Sequence, residues 1–347
     1  MKIAIIDGEL NKEDRKKVSQ DFISIGINKN VENHLESDVT HASLCMKVLE
    51  KYSTNYTLLH INVAEKSGKG ICVKNVKRAL EICYETRIDI LSLSIGTTKM
   101  SDSAELYPPI KKLAKAGCII VAAQSNELYR TLPAYYEEVI SVAADKVGIF
   151  ENNGLLSLSK NVLGLDFLVT YSKDEKTNVN RSNSLSVPRL AAYINNILND
   201  SNRQGSTWIK PHLVQHCEKL SINKYLRGVK TNTFDTVQVQ IMDDNIDLHE
   251  LLKELWEIHK VEAVAVSRDR SDDPRVFYMD SSKKQLNSIN CANADVIFIV
   301  NKDNSIGSFD YQLKSTSNTV RMYSKEGKVY IKNIGERLTN FIVRVIS

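Results

Sequence analysis

No stretch of the 347-residue sequence approaches the ~18–20 consecutive apolar residues of a membrane span. A membrane-spanning protein is therefore not expected. The first ten residues, MKIAIIDGEL, carry a run of four apolar residues before Asp7. That is too short for the h-region of a secretory signal, so the expected location is cytoplasmic. Cysteine is sparse. Cys45, Cys72, Cys83, Cys118, Cys217 and Cys291 form no CxxC pair, which signals neither a zinc knuckle nor a redox dithiol. Most sit in apolar runs, as buried free thiols do. No charge of one sign dominates. Against 42 Asp+Glu stand 46 Lys+Arg, and a net charge of +4 makes no case for nucleic acid. Internal repeats and low-complexity tracts are absent. Gly68-Lys69-Gly70 is too short for a phosphate-binding loop and is not framed by strand and helix. No Asp-rich loop spells a calcium site. His212 and His216, at i and i+4, have no third ligand clearly placed beside them. No metal and no cofactor are expected.

What is present suffices for a real core. The chain is 42% hydrophobic and 25% charged, which argues against disorder. Its length suits about two domains. Over the first ~200 residues short apolar runs alternate with amphipathic stretches. Residues 3–6, 56–63, 88–95, 118–123 and 139–143 read as strands covered on both faces. Residues 41–51, 72–86 and 104–116 read as helices between them, the last stopped by Gly117. The expected fold class is α/β, a doubly wound and mostly parallel sheet. The polar segment 199–207 with Gly205 suits a boundary, giving domains 1–205 and 206–347. The second domain reads as β-rich. Its strand candidates are 234–241, 261–266, 275–279, 295–300, 319–323, 328–332 and 340–346. A helix over 247–258 is capped by Asp247, and Lys325-Glu326-Gly327 turns a hairpin.

Sites in α/β proteins gather at the carboxyl ends of the strands. Asp7 ends the first strand, His41 opens a helix, Asn126 follows the strand CIIVAAQSN, and Ser184 precedes a helix whose first turn holds Pro188. Taken singly these are an ordinary turn acid, a structural histidine, a turn residue and an N-cap. Taken together, the order Asp, His, Ser is one of three chain orders in which a Ser-His-Asp triad occurs.

With that order in view, residues 1–200 resemble the subtilisin-like serine proteases. IAIIDGE resembles the strand that ends in the family's catalytic Asp. HASLCMKVL resembles His-Gly-Thr-x-x-Ala-Gly. ILSLSIG resembles the strand that pairs with substrate backbone, and IIVAAQSNE the segment whose Asn supplies the oxyanion hole. LPAYYEEVISVAA and SNSLSVPRLAA resemble the family's Pro-Ala…Val-Ile-x-Val-Gly-Ala and Gly-Thr-Ser-Met-Ala-Ala-Pro segments. Several motif residues differ. Ala42 and Ser43 stand for Gly-Thr after the His, Ser182 and Asn183 for Gly-Thr before the Ser, and Ser125 for the Gly before the Asn. A second register sets Asp38-Val39-Thr40-His41 on His-Gly-Thr-His and leaves no catalytic His. His41 as catalyst fits the following positions better.

The resemblance implies a serine endopeptidase with Asp7, His41 and Ser184 as triad and Asn126 as oxyanion donor. Ser94, Ile95 and Gly96 are the implied substrate-binding segment, which clamps an extended peptide by strand addition. The implied partner is a peptide or unfolded protein. With Asp7 so near the first residue, no N-terminal pro-domain is expected, which suggests a dedicated processing protease that cuts a precursor peptide. The C-terminal domain is expected to be accessory. The alternative is an inactive scaffold of the same fold that binds a peptide or partner, as the altered motif glycines would suit.

Overall fold

The computed structural model describes residues 1–18, 22–25, 39–65, 70–127, 129–146, 148, 153–159, 161, 163–171, 181–201, 207–221, 236–242, 246–269, 271–278, 293–300, 309–316 and 319–347. Gly68-Lys69-Gly70, the alternative register at Asp38, and the Gly205 boundary fall wholly or partly outside them. The chain forms two units. One comprises Met1–Thr97 and Asp102–Thr231, the other Thr98–Ser101 and Asn232–Ser347.

In the first unit the apolar runs become strands because both their faces are covered. β1 (Lys2–Asp7), β2 (Phe22–Ser24), β3 (Thr57–Asn62), β4 (Ile90–Leu93), β5 (Ile119–Ala123) and β6 (Val139–Ala144) run parallel. β7 (Gly154–Leu158), β8 (Phe167–Thr170) and β9 (Glu218–Leu220) extend the sheet, which has the order β2-β3-β1-β4-β5-β6-β8-β7-β9. β7 is antiparallel to β8. The chain passes from β1 to the edge strand β2, comes back as β3 beside β1, and crosses to β4 on the other side of β1. The strand order therefore reverses at β1/β4, and the carboxyl ends of these two strands frame a crevice. The helices are α1 (Lys12–Lys17), α2 (His41–Tyr52), α3 (Val73–Glu85), α4 (Ser103–Lys115), α5 (Asn183–Ser201) and α6 (Ile209–His216). Ala42, Met46 and Leu49 of α2 and Val187, Leu190, Ala191, Ile194 and Leu198 of α5 join Ile3, Ile5, Val121 and Phe167 of the sheet in one core.

α2 and α5 lie side by side and run the same way. Asparagines of α5 hold the carbonyl end of α2. Asn196 Nδ2 donates to the Tyr52 carbonyl at 2.9 Å, and Asn195 Nδ2 to Ser53 Oγ at 2.8 Å and the Thr54 carbonyl at 2.9 Å. The last carbonyls of a helix have no partner within it, so these amides satisfy otherwise orphaned acceptors. Tyr52 stands eleven residues beyond His41, and Asn195 eleven beyond Ser184. Both distances are about 16 Å of helix. The anchoring at the far ends therefore brings His41 and Ser184 level at the near ends.

The second unit has a sheet in the order β12-β11-β13-β10-β14-β15-β16, built from β10 (Val237–Ile241), β11 (Ala263–Ser267), β12 (Val276–Tyr278), β13 (Val296–Val300), β14 (Tyr311–Ser315), β15 (Val320–Ser324) and β16 (Val329–Ile331). β14, β15 and β16 form an antiparallel meander whose tight turn at Gly327 needs φ of 84°. α7 (Leu248–His259) carries the expected cap, the Asp247 carboxylate accepting from the Glu250 N–H. Residues 340–346, expected as a strand, are instead part of α8 (Leu338–Ile346). Phe341, Ile342 and Val345 are the buried positions, a spacing of one, then three, that a helix face produces and a strand does not. Among the described residues no helix is long and apolar enough to cross a membrane.

Candidate active site

The local sequence explains why each candidate residue stands where it does. Asp7 is the last residue of β1, 3% exposed, and its Oδ1 accepts from the Gly8 N–H at 2.7 Å. Thr40 caps α2 by accepting from the Ser43 N–H, which starts the helix at His41. Both Asp7 oxygens face His41 Nδ1, at 3.0 and 2.9 Å. The buried carboxylate thus fixes the imidazole through Nδ1 and leaves Nε2 for other work. The hydrogen bond to Asp7 raises the His41 pKa above the ordinary 6.5, against the opposing effect of burial.

Cys45 lies one turn along α2, which carries it onto the same crevice. Its Sγ is 3.5 Å from Asp7 Oδ2 and 4.0 Å from His41 Nδ1, and it donates to Ser94 Oγ at 3.3 Å. Burial first, then the Asp7 charge, push the thiol pKa far up, so Cys45 acts as a neutral donor. Ligand atoms of Asp7, His41 and Cys45 all lie within 4.8 Å of one another. A soft divalent cation held there would take the place of the proton that Asp7 and His41 share.

Ser94 carries the chain of contacts across the crevice. Its hydroxyl donates to the Ser184 carbonyl at 2.8 Å. Ile95 and Gly96 follow, and Thr97 pairs with Leu132 through two backbone hydrogen bonds of 2.9 and 2.8 Å. A Cβ at Gly96 would meet Thr131 Cγ2 at 2.6 Å and the Leu132 carbonyl at 2.9 Å, so only glycine lets the segment lie this close.

Ser184 is in the first turn of α5, but it is not the cap. Ser182 Oγ accepts from the Leu185 N–H at 3.2 Å and so performs that task. The backbone N–H of Ser184, in the first turn, lacks a helical acceptor. Its hydroxyl sits 3.0 Å from that of Ser182. Among the described residues no hydrogen bond joins Ser184 to His41. Asn183, 1% exposed, ties three segments together. Its Nδ2 donates to the carbonyls of Gln124 (3.0 Å) and Ser125 (2.9 Å), and its Oδ1 accepts from the Ala144 N–H (2.9 Å). Asn126 is the next residue after that anchor, and its side-chain carbonyl accepts from Lys146 Nζ at 2.7 Å.

Sequence reading singles out Asp7, His41, Ser94, Asn126 and Ser184 without giving a role to the residues that connect them. Cys45, Ser182 and Asn183 lie within the quoted motifs, but neither they nor Lys146 were singled out as site residues. Helical spacing from His41 was the available signal for Cys45, and the side chain's ability to cap was the signal for Ser182.

A model of the subtilase family matches residues 33–257, well over half of the chain. The match takes in His41, Asn126 and Ser184 and begins after Asp7. No curated protein matches the chain. Similar solved structures include the nisin leader peptidase NisP from Lactococcus lactis, at 13% identity and a TM-score of 0.44, over 67% of this chain and 88% of that one. The prenylagaramide maturation protease PagA is similar at 15% identity and a TM-score of 0.42, over 66% and 94%. A cold-adapted subtilisin-like serine proteinase is similar at 13% and 0.43, over 62% and 81%. By the family match, and with the subtilisin-like α/β sheet of its first unit, the chain belongs to the subtilase family and is a serine endopeptidase.

Proposed function

We propose that this subtilase hydrolyses peptide bonds with Ser184 as nucleophile, His41 as general base and Asp7 as its orienting carboxylate. The observation that carries the reading is the Asp7–His41 pair at 2.9 Å, set where the strand order reverses. Attack requires the Ser184 hydroxyl to leave Ser182 and give its proton to His41 Nε2. The imidazolium then protonates the leaving amine, and Asp7 stabilises it meanwhile. The Ser184 N–H and the Asn126 amide donate to the developing oxyanion, a side-chain donor of this kind being worth ~3–4 kcal/mol in the transition state. Ser94–Gly96 pairs with the extended substrate.

The pairing sets the sign of the pH dependence. His41 must be neutral to act as base, and its pKa is raised. The acid limb of kcat/KM is therefore expected above the ordinary 6.5, with activity rising through the raised value. The same pair contributes stability that is fully present below the ordinary imidazole pKa and is lost as pH rises through the folded one. Asp7→Asn should bring the limb down and lower kcat about 10⁴-fold. Initial rates on a fluorogenic peptide from pH 5 to 9 measure this. A wild-type limb at or below 6.5 contradicts the role of Asp7.

Within this reading the substrate is a precursor peptide cut at one place, and the enzyme acts in the cytoplasm. The described cysteines Cys45, Cys72, Cys83, Cys118 and Cys217 are all free, which suits a reducing compartment. The second unit is an accessory domain, since every residue of the triad and of the oxyanion site belongs to the first. Incubation with an unbiased peptide library should give cuts confined to a narrow sequence context. Cuts spread evenly over the library would rule out a dedicated processing role. Failure of the wild type to react with a fluorophosphonate, while folded, would favour the inactive peptide-binding scaffold instead.

A further inference from the structure

We infer that Lys146 is a positioning residue for hydrolysis, setting the orientation of the Asn126 amide so that its NH2 faces the oxyanion. The inference rests on the serine protease reading and adds a residue that the triad does not include. Lys146 follows β6 by two residues, and its Nζ lies 2.7 Å from Asn126 Oδ1. An ammonium group only donates hydrogen bonds. The atom of Asn126 that it touches is thereby fixed as the carbonyl oxygen, and the NH2 is turned the other way. Without such a partner an asparagine amide can rotate by 180° and present its oxygen, an acceptor, to an anion. That orientation would oppose the transition state rather than stabilise it.

Two further observations support the assignment. Among the described residues Lys146 has no carboxylate within ion-pair distance. Its side chain is exposed, and partial desolvation still lowers its pKa. A cation with no anionic partner among the described residues, beside a candidate oxyanion donor, suits a site where negative charge appears only during reaction. The second observation is how the two residues are braced. Asn183 holds Ser125 through its carbonyl and Ala144 through its N–H. The residue before Asn126 and the one two before Lys146 are thus tied to the residue before Ser184. Asn126 and Lys146 are kept in one frame with the nucleophile.

The consequence is specific to the turnover step. Asn126 donates to charge that develops in the transition state, so loss of its orientation should lower kcat and leave KM nearly unchanged. An oxyanion donor is worth ~10²–10³ in kcat. Lys146→Met should therefore lose on the order of tenfold to a hundredfold, with thermal stability as in the wild type. Lys146→Arg, which keeps a donor cation, should recover most of it. In the Asn126→Ala background Lys146→Met should cost nothing further, because there is no amide left to orient. A purely structural lysine would lower both backgrounds alike. Full activity in Lys146→Met, or equal losses with and without Asn126, overturns the inference while leaving the protease standing. A folded wild type without fluorophosphonate labelling or hydrolysis overturns the protease reading and this inference with it.

Discussion

The Ser184→Ala protein is expected to fold as the wild type does, to take up no fluorophosphonate, and to lose on the order of 10⁶ in kcat, the figure measured for nucleophile removal in a subtilisin. The stability half of that expectation follows from what Ser184 touches. Its hydroxyl contacts Ser182 at a half-buried position, and the bond to Ser94 uses its backbone carbonyl, which alanine retains. Alanine also suits a helix. The decisive comparison is with its neighbour, since Ser182 carries a hydroxyl 3.0 Å away. Ser182→Ala removes the cap of α5 and should cost ~1 kcal/mol of stability, yet labelling should persist. Mass spectrometry of the labelled peptide separates the two serines. A label that survives in Ser184→Ala and vanishes in Ser182→Ala would reassign the nucleophile.

Asn183→Ala is expected to have the largest effect on stability. Three hydrogen bonds go at once, and the Ala144 N–H and the Gln124 and Ser125 carbonyls lose their partner around a side chain 1% exposed. Leaving a buried polar group unpaired costs about 1–3 kcal/mol each, with the carbonyls at the lower end. A total of about 3–5 kcal/mol should lower the Tm of the first unit by about 10 °C. Activity should fall more than a hundredfold at temperatures where the protein remains folded, because the Asn126 turn, β6 and the proposed nucleophile Ser184 lose their common tie. Asn183→Asp tests the hydrogen-bond polarity at nearly equal volume. It keeps the acceptor for Ala144 but aims a carboxylate oxygen at two carbonyls, so it should rescue neither stability nor activity. Differential scanning calorimetry of both variants, beside rates at 20 °C, decides the matter. Wild-type Tm and rate in Asn183→Ala would show that the tie is dispensable.

The legibility of the sequence differed by the kind of information each feature needs. β1, β4, β5 and β6 were readable because their apolar runs are continuous, as strands covered on both faces require. The places of Asp7, His41 and Ser184 at element ends were readable, because the resemblance depends on their order and on the elements that they end or begin. Cys45, Asn183 and Lys146 were not, because their contacts join segments far apart in sequence. Asn183 and Ala144 are 39 residues apart, and Ser94 and Ser184 are 90. The misread segment shows another limit. FIVRVI is rich in β-branched residues and invites a strand by propensity. Burial of Phe341, Ile342 and Val345 on one face of α8 overrides that preference.

The anchoring of α2 by α5 makes helix length a functional quantity. Each added residue would rotate the near end by about 100° and advance it ~1.5 Å. Because Asn195 and Asn196 hold the far end of α2, an insertion between His41 and Tyr52 could not be absorbed there. It would instead swing the imidazole away from the Asp7 carboxylate. The side chains along these two helices can vary in chemistry so long as they pack. The count of residues between His41 and its anchor cannot. In this molecule two equal spans of peptide backbone act as the measuring rod of the candidate active site.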